Sequence, residues 1–127
     1  MPGKDLFEYA VIRIVPKVER EEFLNVGVIL YCASHKFLKI KFNVNEERLR
    51  AFCKETDLNM LNEYLKAFEE VCEGDGNAGE IGKLPLPEKF RWLTATRSTV
   101  VQTSKVHPGL CSNPEEELQK LFIELVE

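Results

Sequence analysis

The stretch Phe23–Cys32 constrains the fold most, because apart from Asn25 and Gly27 every residue in it is apolar. Read with a period of two, Leu24, Val26, Val28, Leu30 and Cys32 form one face, and Phe23, Asn25, Gly27, Ile29 and Tyr31 form the other. A strand with two apolar faces belongs in the middle of a sheet that is covered on both sides. The flanking runs supply its neighbours. Tyr9–Val15 is rich in β-branched residues and stops at Pro16, which cannot donate in a ladder. It places Ala10, Ile12 and Ile14 on one side and Tyr9, Val11, Arg13 and Val15 on the other. Phe37–Phe42 follows a short hairpin loop, Ala33–Lys36, with Leu38, Ile40 and Phe42 inward and Lys39 and Lys41 outward on a face where lysine guards an edge. The spacing predicts a three-stranded antiparallel meander.

Helices come next. Asn45 is placed to cap a short one carrying Leu49, Phe52 and Cys53, and Asp57 to cap a longer one. In the longer helix Leu58, Leu61, Leu65, Phe68 and Cys72 recur at steps of three and four, and Gly74 stands where a left-handed C-cap is wanted. Segment 74–82 is glycine-rich and reads as a flexible surface loop. Glu88–Leu93 reads as one or two helical turns, Ser98–Thr103 as a fourth strand, and Val106–Asn113 as a turn-rich connector. Asn113 then caps a last helix, with Pro114 at its first position and Leu118, Leu121, Phe122 and Leu125 as its buried stripe. The expected fold is α+β: an antiparallel three-stranded meander plus a fourth strand, packed against three or four helices.

With 127 residues, 44% of them hydrophobic, the chain has material for one domain, 1–127, with its own core. A net charge of -4 disfavours a nonspecific nucleic-acid coat. No apolar run approaches the roughly 20 residues of a membrane span. Met1–Asp5 lacks the apolar stretch of a signal peptide. Cys32, Cys53, Cys72 and Cys111 are widely spaced and out of zinc-ligand register with His35 and His107, so they read as small core residues in a reducing cytoplasm. No metal or cofactor is expected.

Little of the sequence carries catalytic chemistry. The Gly74–Glu80 stretch lacks the G-K-[ST] ending of a phosphate loop and the spaced acids of a calcium loop. Ser104, Lys105 and His107 sit together, but nothing identifies the acid that would orient the histidine, and His107-Pro108-Gly109 also reads simply as a turn. The paired glutamates fall in helix caps or on polar helix faces. What stands out is a set of polar residues where the pattern calls for apolar ones: Arg13, Asn25, Arg97, Ser98 and Gln102. Two guanidiniums and two amides gathered at one place would suit a carboxylate or phosphate. The competing reading is an internal network in which Arg13 pairs with Glu22 and Asn25 satisfies backbone.

Tyr9–Pro16, Glu19–Leu30, Arg97–Gln102 and Val106–Cys111 with the closing helix resemble a bacterial family of domains of unknown function, DUF3037, over nearly the whole chain. The family's proline after the fourth strand is replaced here by Thr103. The resemblance implies that the family's characteristic polar positions are carried by Arg13, Glu22, Asn25, Gly27, Arg97 and Gln102. It implies no activity or cofactor. It also implies a kinase-like partner protein related to the HipA toxins, encoded nearby. The expectation is a small cytoplasmic binding or accessory module, without catalytic residues, that recognises a partner protein or an anionic ligand through this cluster and His107. The alternative is a phosphate-handling enzyme acting on a nucleotide or nucleic acid, with Arg13 and Arg97 as the clamp and His107 or Glu22 as the base. A homodimerising subunit is a third reading.

Overall fold

A computed structural model describes residues 4–74, 76–97 and 99–127. Five strands and four helices follow in the order β1 (Asp5–Ile14), β2 (Leu24–Cys32), β3 (Phe37–Phe42), α1 (Glu46–Phe52), α2 (Leu58–Glu73), α3 (Leu86–Leu93), β4 (Val101–Thr103), β5 (His107–Cys111) and α4 (Pro114–Leu125). The strands form one antiparallel sheet in the order β3-β2-β1-β4, and β5 also pairs with β1. The α+β class and the meander are as the sequence predicts.

The sheet differs from expectation along its far edge. β1 is longer than the β-branched run and begins at Asp5, so it accommodates two short partners end to end. β4 pairs with Ile12–Ile14, and β5 pairs with Asp5–Tyr9. The segment read as a turn-rich connector therefore contains a fifth strand. Pro108 and Gly109 obscure it in the sequence, yet on an edge strand the missing proline donor can face outward. Gly109 also has a positive reason to be there: a Cβ at that position would meet the Phe7 ring at 2.5 Å. Between the two strands, Ser104 holds the bend to β1. Its N–H donates to the Val11 carbonyl at 2.8 Å, and its Oγ accepts from the Val11 N–H at 2.8 Å, replacing the carbonyl that a straight ladder would supply. Ser98, the expected start of the fourth strand, lies outside the described residues.

The pairing of β1 with β2 contains a bulge. Ile12 faces Gly27, but Arg13 faces Asn25, so Val26 is the extra residue. The strict period of two fails there. Val26 joins Ala10, Ile12, Ile14 and Ile29 in the core beneath α1, α2 and α3, with Leu49, Leu61, Leu65, Phe68, Phe90 and Leu93. Val28, Leu30 and Cys32 join Phe7, Cys111 and the α4 stripe Leu118, Leu121 and Phe122 on the opposite face. Asn25 is thus separated from Gly27 and turned toward α4. Each of these fully buried large side chains contributes about 1.5–3 kcal/mol before entropy, so the two cores clamp the sheet from both sides.

The helix ends follow the sequence. The Asn45, Asp57 and Asn113 side chains accept from the backbone N–H groups of Arg48, Met60 and both Glu115 and Glu116, and Gly74 takes φ 73°. β3 corrects one expectation. Lys39 and Lys41 do not simply face water, because α4 lies over β2 and β3. Lys39 pairs with Glu115 at 2.9 Å, and Lys41 donates to Gln119 while lying 4.9 Å over the Phe122 ring. Among the described residues no helix is long and apolar enough to cross a membrane.

Candidate functional site

Register brings three of the predicted site residues into one row. Asn25 on β2, Arg13 on β1 and Gln102 on β4 are successive cross-strand partners on the face that carries α4. Further along the same face His107 lies opposite Tyr9, with ring centroids 5.4 Å apart.

Arg13 is the centre of the row. Its guanidinium lies 3.9 Å above the ring of Phe23, which is 45% exposed. Its Nε is closed off from solvent and has no hydrogen-bond partner among the described residues. Burial pulls its pKa below the ordinary arginine value. Asn25 donates from Nδ2 to the Leu125 carbonyl at 3.1 Å, at the end of α4, while its Oδ1 is closed off and unpartnered. Gln102, the cross-strand partner of Arg13, donates to the Thr99 carbonyl at 2.8 Å. An unpartnered donor and an unpartnered acceptor on directly paired residues, in a half-buried setting, suit a group that carries both functions or a bound anion with its water.

The other residues do not complete that cluster. Arg97 lies on the opposite side of the sheet. Its guanidinium donates to the carbonyls of Leu93 at 2.7 Å, Ala95 at 3.2 Å and Trp92 at 2.7 Å, and it stacks 5.0 Å from both the Phe68 and Trp92 rings. It closes the C-terminal end of α3, where orphan carbonyls and the helix dipole both favour a cation. The expected convergence of Arg13 with Arg97 is therefore overturned, and with it the two-arginine clamp of a phosphate-handling enzyme. Glu22 does not pair with Arg13 either; it is exposed and bonded to Arg20. Gly27 has a packing role. A Cβ there would stand 2.8 Å from the Lys41 carbonyl and 2.9 Å from the Phe42 Cβ, so only glycine lets β3 approach. The Ser104 hydroxyl is occupied by Val11 and by the Lys105 carbonyl at 2.9 Å, so it is not a free nucleophile beside His107.

Some features had no signal in the sequence. Arg48 of α1 donates to the Val126 carbonyl at 2.8 Å, and together with Asn25 it closes the C-terminal end of α4. Leu24, Asn25, Asn43, Asn45, Arg48 and Val126 line a hollow of about 280 Å³ there. A cleft of about 380 Å³ lies elsewhere, between the β1–β2 connection and the end of α1. Cys53 lines it and is half-buried, whereas Cys32, Cys72 and Cys111 are buried.

The chain matches no curated protein and no solved structure. A family model described as a protein of unknown function, DUF3037, matches residues 9–126, a span that contains Arg13, Asn25 and Gln102 and all but the first few residues of the sheet, and the chain belongs to that family.

Proposed function

We propose that the protein is a small non-catalytic binding module that receives a carboxylate of a partner protein on the row Asn25–Arg13–Gln102. One observation carries this reading. Arg13 is a half-buried cation that forms no ion pair among the described residues, stacked on an exposed aromatic ring, and its Nε donor is enclosed and has no partner among them. A chain that needed Arg13 only for stability would supply acceptors to satisfy it, as the α3 carbonyls satisfy Arg97. A protein partner is favoured because Phe23 gives the site an exposed apolar flank, a common neighbour of arginine in interface centres. Four unpaired thiols suit the cytoplasm, and a HipA-like kinase, the partner that the family resemblance implies, is the first to try. The phosphate-handling alternative has less support, since its second arginine is committed to α3.

The test is co-expression with that kinase-like protein, followed by titration calorimetry. Arg13→Met should weaken binding about tenfold or more, the usual loss for a hydrogen-bonded charge, and Phe23→Ala should weaken it as well. Failure to associate removes this partner, and association indifferent to Arg13→Met removes the proposed site. Scattering that shows a dimer broken by Arg13→Met assigns the site to a second copy instead.

A further inference from the structure

The cleft between the β1–β2 connection and the end of α1 is independent of the Arg13 row and has a chemistry of its own. Pro16, Lys17 and Arg20 form one wall, and Ala51, Phe52, Cys53 and Lys54 form the other. Its volume of about 380 Å³ is that of a small-molecule site. A second hollow of about 250 Å³, walled by Met60 and Val100, adjoins it and shares Pro16, Lys17, Cys53 and Glu55. Cys53 therefore lines both.

Three cations line the cleft, Lys17, Arg20 and Lys54, against two acids, Glu22 and Glu55. Glu22 is held by Arg20. Neither Lys17 nor Lys54 forms an ion pair among the described residues. The cleft is thus lined by two ammonium groups that form no ion pair among the described residues, by apolar side chains and by the Cys53 thiol. The Thr56 Oγ1 is shut off from solvent and has no hydrogen-bond partner of ordinary geometry among the described residues. The Thr56 hydroxyl, the Glu55 backbone and the Lys17 ammonium hold the Cys53 thiol below its ordinary pKa, against partial burial and the Glu55 charge.

We propose that this cleft takes a small carboxylate-bearing disulfide of the glutathione type, and that Cys53 forms a mixed disulfide with it. The Cys53 thiol loses its proton to solvent, and the thiolate attacks one sulfur of the disulfide. A new S–S bond forms as the old one breaks, and the departing thiolate takes up a proton. The incoming disulfide is the oxidant. Lys17 and Lys54 meet its carboxylates, and Pro16 and Phe52 pack against its methylene groups.

The test compares two disulfides of opposite charge on the full chain, anionic glutathione disulfide and cationic cystamine, by intact mass. One adduct per chain should form, map to Cys53, and be absent in Cys53→Ser. The rate ratio, glutathione disulfide over cystamine, should exceed that of a free cysteine peptide about tenfold, and Lys17→Gln and Lys54→Gln should each lower it about threefold, the effect of one nearby charge in water. Both lysines are exposed, so these variants keep the fold, and circular dichroism checks it. An adduct on a different cysteine, a ratio no higher than that of the peptide, or a ratio unmoved by the double lysine variant overturns the proposal.

Discussion

The two arginines that break the sequence pattern should behave oppositely when their charge is deleted, and the matched substitutions Arg97→Met and Arg13→Met test this. Methionine keeps most of the aliphatic stem in both cases. Arg97 loses three hydrogen bonds, two of them 2.7 Å long, and a stack on Phe68 and Trp92. Water can replace its bonds to the exposed Trp92 and Ala95, but Leu93 is buried. Counting that bond at about 1.5 kcal/mol, with about 0.5–1 kcal/mol for the ring stack, gives a loss of about 2–2.5 kcal/mol, or ~10 °C in Tm for a chain of this length. The Arg13 side chain makes no hydrogen bond among the described residues. Its stack on Phe23 contributes about 0.5–1 kcal/mol, and deleting an enclosed, unpartnered Nε returns a similar amount, so the change should stay within about 0.5 kcal/mol of zero. Urea unfolding followed by far-ultraviolet circular dichroism is the assay, because Trp92 touches Arg97 and its fluorescence would report the substitution directly. The reasoning fails if Arg97→Met leaves stability within about 0.5 kcal/mol of the parent, or if Arg13→Met costs as much as Arg97→Met. The second result would make Arg13 part of an internal network and leave it no free charge for a partner.

Gly27→Ala should cost about 1–3 kcal/mol, since the new methyl meets the Lys41 carbonyl at 2.8 Å and the β2–β3 pair must spread; chemical denaturation measures it, and a neutral result would show that the strands adapt. Burial pushes the Cys72 thiol up to about 12 from 9.0, so between those values it ionises in the unfolded chain first. Stability from this group is therefore complete below pH 9 and falls as pH rises toward 12, and Cys72→Ala should flatten that part of the pH–stability curve; an unchanged slope refutes the assignment.

The sequence by itself determined the elements and most of their partners. The two-faced apolar run Phe23–Cys32 required a covered central strand, and the structure places β2 between β1 and β3 with helices on both faces. The caps at Asn45, Asp57 and Asn113 were legible because capping is a local exchange of a side chain for a few backbone groups. That Arg13 and Asn25 lie on adjacent strands was likewise within reach of the pattern, but their direct pairing was not. Tertiary structure alone decided the rest. The bulge at Val26 turned Asn25 toward α4, and period-two counting cannot see where a ladder slips. Arg97 went to the end of α3 because three carbonyls were waiting there, a demand set by where the helix stops in space. Cys53 parted from the three buried cysteines because α1 ends at the surface beside Lys17, residues far apart along the chain that only folding brings together. Periodicity records which face a side chain takes; it carries no record of which distant charges or carbonyls that face will meet.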